Sequence, residues 1–197
     1  ETWLDEALSV GAEIRYRLLV HDPATEGRFK SYMNDISATS LTSFHNSLAA
    51  YGCVGLFAQY LLDQGGTDRI KKLVTSGLQG KANIFAAFSN HERPELQTFE
   101  GIYKNWTKAI FAEMNRRHLD MSAIPAYQKY TLDFDLDRSS SELPYGSGAQ
   151  EYLSGGALTM FILEPPTGYT ADSATLYLQA VVGSTQQTSA PIDCTVM

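Results

Sequence analysis

The chain predicts an α+β protein: about five helices, then a small strand-rich region. Two changes of pattern carry that prediction. Up to about residue 120, apolar residues recur at spacings of three and four, as on helices with one buried face. After Pro125 the spacing shortens to alternation, as in Tyr130-Thr131-Leu132-Asp133-Phe134-Asp135-Leu136-Asp137, which suits a half-solvated strand. Short apolar runs punctuated by Gly, Ser and Pro follow, the pattern of a small antiparallel β-sandwich. The expected domains are a helical one over residues 1–123 and a β-rich one over residues 124–197.

The first helix has Thr2 as its N-cap, with Asp5 three residues on in capping-box fashion. Its stripe of Trp3, Leu4, Leu8, Ile14 and Leu18 ends before the turn at His21-Asp22-Pro23. A second helix is expected from Leu41 to Asp63, stopping at Gly65-Gly66. It presents Leu48, Tyr51, Val54, Phe57, Ala58 and Leu61 on one face. Ala49, Ala50, Gly52 and Gly55 lie beside them and permit close approach of a neighbouring helix. Thr67 caps a third helix, Asp68 to Ser76, with Gly77 past its end, and a short helix from Ala82 to Phe88 follows. The last helix carries Phe99, Ile102, Trp106, Ile110 and Met114, with Arg116, Arg117 and His118 suiting its negative C-terminal end. Residues 158–163 and 174–182 read as further strands, divided by Pro165-Pro166 and Gly168.

With 197 residues and 44% hydrophobic content, the chain can bury a substantial core. A net charge of -7, with basic residues scattered, argues against nucleic acid and against an anionic membrane surface. No apolar run approaches the roughly 20 residues of a membrane span. The chain opens on Glu1 without an initiator Met or a basic-then-apolar leader, which reads as a fragment or a processed product. Cys53 and Cys194 could pair in an oxidising compartment, but Cys53 lies among helix-core residues and reads as a buried free thiol.

The segment with most chemical content is Trp3-Leu4-Asp5-Glu6-Ala7-Leu8-Ser9, with Glu13 two helical turns beyond Glu6. Paired carboxylates on a helix are most often a solvated face. They can also form one wall of a metal site. The remaining motifs have plainer readings. His91-Glu92-Arg93-Pro94 is not a zinc-binding HExxH, because the second His is missing and Pro94 would break the turn. Asp133, Asp135 and Asp137 lack the Gly and the bidentate Glu of a calcium loop. No nucleophile elbow surrounds Ser9, Ser43 or Ser47, Gly77-Leu78-Gln79-Gly80-Lys81 lacks phosphate-loop spacing, and His21 and His45 read as structural.

Trp3-Leu4-Asp5-Glu6-Ala7-Leu8-Ser9 resembles the Trp-Leu-Asn-Glu-Gly-aromatic-Ala motif of the gluzincin metallopeptidases, with Asp5 and Ala7 departing from it. Within that clan the chain looks most like the hyicolysin-type peptidases over residues 1 to 112. Tyr51-Gly52 to Tyr60-Leu61, the stop at Gly65-Gly66 and Lys104-Asn105-Trp106-Thr107-Lys108-Ala109 carry that likeness. The resemblance implies a zinc-dependent endopeptidase, secreted or at the cell surface, that cleaves peptide or protein substrates with zinc-activated water. Glu6 would be the third zinc ligand and Glu13 would orient a ligand His. Tyr51 would donate its hydroxyl to the developing oxyanion, unless it is simply a core aromatic. The two His ligands would come from an upstream HExxH-bearing subdomain, so this chain by itself should be inactive and bind zinc weakly or not at all. Two rivals remain at this stage. One is a peptidase-like scaffold without catalysis; the other is an adhesion or carbohydrate-binding protein using Tyr145, Tyr152 and Tyr169 of its β half.

Overall fold

The computed structural model describes residues 2–20, 24–114, 141–144, 161–164, 181–182 and 185–186. Two compact units divide the chain, Glu1–Leu163 and Glu164–Met197. The helices belong to the first: α1 (Thr2–Val20), α2 (Ala24–Asn34), α3 (Leu48–Thr75), α4 (Gly80–Phe88) and α5 (Phe99–Met114), with a short 3₁₀ turn at Pro94–Leu96. The expected β-sandwich is corrected. Beyond Met114 the described residues form four strands, β1 (Ser141–Pro144), β2 (Phe161–Glu164), β3 (Val181–Val182) and β4 (Thr185–Gln186), in two separate two-stranded ladders. β3 and β4 pair antiparallel, Val181 opposite Gln186 and Val182 opposite Thr185. Alternating apolar residues mark a strand but do not supply a facing layer, and a sandwich needs two sheets whose apolar faces cover each other. The alternating run 130–137 and the expected boundary near residue 123 lie outside the described residues.

α1 forms as its apolar spacing requires. Trp3, Leu4, Ala7, Val10 and Ile14 recur at three and four and are all buried. This stripe packs on α3 with small residues at the crossing: Gly11 meets Ala58, and Val10 and Ile14 close over Gly55. Because position 11 faces 58 while 14 faces 55, the two helices run antiparallel. α2 was not foreseen in the sequence. It covers a second flank of α3 with Phe29, Tyr32 and Met33, and Gly52 lets the Arg28 carbonyl lie directly on α3.

α3 begins seven residues later than expected. Ser47 is extended (φ -132, ψ 157) and its side chain accepts the Ala50 N–H at 3.1 Å, a standard N-cap bond. Leu48, expected in the buried face, stands 61% exposed as the first residue after that cap. Val54, Phe57, Ala58 and Leu61 are buried as expected. The predicted stop at Gly65-Gly66 survives as a kink, since Gly66 has φ 66 and ψ -179 and the helix resumes beyond it. At the far end Ser76 caps α3, and the buried Asn83 of α4 donates to the Leu73 carbonyl at 2.8 Å.

α5 starts behind Thr98, whose hydroxyl accepts the Gly101 N–H at 3.1 Å. Phe99, Ile102, Trp106 and Ile110 are buried in the expected stripe. An aromatic cluster joins four helices. Trp3 lies 6.1 Å from Phe57 and 5.9 Å from Phe99, Phe57 meets Trp106 edge-on at 5.3 Å, and Tyr32 stacks on Trp106 at 6.3 Å. Such tilted and offset pairs suit ring quadrupoles and add to the area buried. Cys53 is free and buried in this core. Among the described residues no helix is long and apolar enough to cross a membrane.

Candidate functional site

The predicted site residues occupy two helices. Glu6 and Glu13 are both partly exposed on α1, seven residues and about 10 Å apart along the axis. The buried anchors Trp3, Leu4, Ala7 and Val10 fix the rotation of α1, which holds both carboxylates toward the edge of the bundle. Glu6 meets no hydrogen-bond or ion-pair partner among the described residues. Glu13 does: Arg28 of α2 donates Nη1 to Glu13 Oε2 at 2.6 Å, a short charge-assisted bond whose side chains are 20% and 35% exposed.

Arg28 also reaches α3. Its guanidinium carbon lies 5.3 Å from the centre of the Tyr51 ring, within cation–π range. Phe44 also lies against the Tyr51 ring, edge-on at 5.2 Å and 77°. The three-helix fold thus brings Glu13 and Tyr51 to one node through Arg28, and leaves Glu6 two turns away on α1. Sequence reading missed Arg28. The available signal was the 29, 32, 33 apolar spacing of α2, which puts Arg28 next to a buried stripe without naming what it meets.

As a zinc site the described residues supply one plausible donor, the Glu6 carboxylate. Structural and catalytic zinc sites take three or four protein ligands. Among the described residues no group of three His, Cys, Asp or Glu side chains is close enough to hold a metal ion. Glu6 fits as one ligand of a zinc only with two imidazoles from outside these residues. His45 is exposed, and His21 and His118 lie outside the described residues.

His91 is committed elsewhere. It is 2% exposed and stacks on Phe88 at 5.9 Å. Its Nδ1 accepts the Arg93 N–H at 3.0 Å, so its Nε2 carries the proton and donates to the Gln64 carbonyl at 3.1 Å. In an unbroken helix that carbonyl would accept the N–H four residues on; the kink at Gly66 removes this partner and His91 replaces it. Arg93 adds a bond from Nη1 to Gln64 Oε1 at 2.9 Å, and Gln97 donates to the His91 carbonyl at 2.8 Å. A backbone N–H bond and then Arg93 hold the Glu95 carboxyl below its ordinary range. The failed HExxH segment is therefore a structural latch across the α3 kink.

Burial pushes the hydroxyls of Tyr60 and Tyr103 above their ordinary range. A hollow of about 480 Å³ on the second half of α3 is lined by Asp68, Arg69, Lys71, Lys72, Thr75 and Asn90, and contains none of the three predicted site residues.

In the comparisons with known proteins, no family model, no curated protein and no solved structure matches the chain.

Proposed function

We propose that this helical bundle carries the glutamate-bearing wall of a zinc-dependent endopeptidase, secreted or displayed at the cell surface, acting on peptide or protein substrates. The observation that supports it most is the setting of Glu6. Its carboxylate is partly exposed and unpartnered among the described residues, on a helix locked by Trp3, Leu4, Ala7 and Val10. A rigid, available carboxylate is what a third zinc ligand requires. The likeness of Trp3-Leu4-Asp5-Glu6-Ala7-Leu8-Ser9 to the gluzincin motif points the same way.

In this reading Glu6 holds the metal together with two imidazoles from an upstream HExxH subdomain. The metal, when bound, supplies Lewis acidity at the scissile carbonyl. Tyr51 presents a hydroxyl donor. Glu13, held by Arg28, fixes the node beside it.

The test is metal content and casein hydrolysis of the full-length protein. One zinc per chain and hydrolysis abolished by a chelator are expected, and Glu6→Gln should lose both metal and activity. A full-length protein without zinc, or a Glu6→Gln variant that keeps it, overturns the reading. Titration of the 197-residue chain with zinc in a calorimeter should show weak uptake or none; tight uptake would contradict the assignment of the remaining ligands to another segment.

A further inference from the structure

The hollow on the second half of α3 gathers positive charge in a chain whose net charge is -7. Arg69, Lys71 and Lys72 line it against one carboxylate, Asp68, and its volume of about 480 Å³ falls in the range of small-ligand sites. Several cations elsewhere in the bundle are matched: Glu26 holds Lys30, Glu100 holds Lys81 and Glu95 holds Arg93. Lys71 and Lys72 are exposed and meet no carboxylate among the described residues, Asp68 included.

Arg69 is the fixed part of the wall. Its guanidinium carbon lies 5.9 Å from the centre of the Phe88 ring, and its side chain is only 20% exposed. Nη2 donates to the Asn90 carbonyl at 3.3 Å and lies 3.5 Å from Glu92, which does not line the hollow. The Arg69 Nε–H is buried without an acceptor among the described residues, a donor that folded proteins rarely leave unmet. The segment that latches the α3 kink through His91 also carries Asn90, whose side-chain amide has no partner among the described residues. Thr75 donates its hydroxyl to the Lys71 carbonyl at 2.9 Å and adds no donor. The lining therefore offers a guanidinium, two ammonium groups and an amide, with Asp68 alone opposed in sign. Such a set complements the oxygens of a phosphate.

We propose that this hollow binds an anionic phosphate group, either free or on the headgroup of an acidic phospholipid. Arg69 supplies the fixed donors, and Lys71 and Lys72 close on the anion from their exposed stems. The site does not depend on the peptidase reading, since it shares no residue with Glu6, Glu13 or Tyr51.

The experiment has two arms, both at about 0.15 M sodium chloride so that diffuse surface attraction is screened. In one, the chain is titrated with inorganic phosphate in a calorimeter. In the other, it is sedimented with vesicles of phosphatidylglycerol mixed into phosphatidylcholine, and with phosphatidylcholine alone, whose choline cancels the phosphate charge. Saturable uptake of inorganic phosphate, with a Kd of about 1 mM or tighter, identifies free phosphate as sufficient. Sedimentation with the acidic vesicles alone, without uptake of free phosphate, places the group on the headgroup. Lys71→Gln with Lys72→Gln should weaken whichever binding is seen about tenfold, the worth of two exposed ion pairs. Lys30→Gln with Lys81→Gln removes the same charge away from the hollow and should leave binding within about twofold. Arg69→Gln should weaken it at least as far as the lysine pair. If its thermal midpoint shows that Arg69→Gln does not fold, the lysine pair decides, because neither side chain holds the fold. Binding to neither probe, equal retention by phosphatidylcholine, or equal losses in the two lysine pairs overturns the proposal.

Discussion

Replacing Gly52 by alanine and Gly27 by alanine makes one chemical change in two helices, with opposite expected outcomes. In a free helix each change gains about 1 kcal/mol, because glycine surrenders more backbone entropy. At Gly27 nothing lies within 4 Å of the new methyl, so the gain should appear as a thermal midpoint raised by about 2–4 °C. At Gly52 the methyl would lie 2.8 Å from the Arg28 carbonyl carbon and 3.0 Å from Tyr32 Cβ, against 3.4–4 Å for ordinary contact. The first of these is backbone and cannot turn aside as a side chain would. α2 must move off α3, and overpacking of this kind costs about 3 kcal/mol. The net loss is about 2 kcal/mol, read as a midpoint lowered by about 4–8 °C. Urea unfolding followed by far-UV circular dichroism gives the same two signs. A Gly52→Ala variant as stable as the native chain would show that α2 does not lie against α3 as described.

Burial pushes the Cys53 thiol up to about 12, against a smaller opposing effect of the Tyr32 hydrogen bond. An unfolded thiol ionises near ~8.5, so its contribution to stability is complete below that pH and declines as the pH rises toward 12. Urea midpoints between pH 8 and 10.5 should fall more steeply for the native chain than for Cys53→Ala, and iodoacetamide should label the native thiol slowly at pH 8 and rapidly in urea. Fast native labelling would contradict the burial. His91→Phe should keep the stacking on Phe88 but strand the Gln64 carbonyl and the Arg93 N–H, at about 2–4 kcal/mol. A thermal midpoint within 1–2 °C of the native value would refute the latch.

Elements with strong periodicity and clear stops were legible. The buried stripes of α1 and α5 are close to those read from spacing, and Gly66 is the break in α3. α2 escaped because Asp22-Pro23 precedes it, Gly27 interrupts it, and only Phe29, Tyr32 and Met33 carry its apolar face. A helix so short draws its stability from packing rather than propensity. The late start of α3 was hidden by Ser40 and Ser47, whose hydroxyls hold nearby backbone: Ser40 Oγ accepts the Ser43 N–H at 3.2 Å and Ser47 Oγ the Ala50 N–H at 3.1 Å. Of the site, Glu6, Glu13 and Tyr51 could be nominated from one motif and its surroundings. Arg28 could not, because it reaches Glu13 across fifteen positions and Tyr51 across twenty-three, and no local pattern encodes such a meeting. His91 was readable as a failed motif but not as the partner of a carbonyl twenty-seven residues earlier.

The antiparallel seating of α1 on α3 has a consequence for biosynthesis. Trp3, Val10, Gly11 and Ile14 find their counterparts at positions 55 to 58, about forty-five residues downstream. On the ribosome the first helix therefore emerges with its greasy side bare and must wait several seconds for the strip that shields it, at ordinary translation speeds of about 5–20 residues per second. A nascent chain halted before α3 has left the exit tunnel should recruit holdase chaperones, and one halted after it should release them.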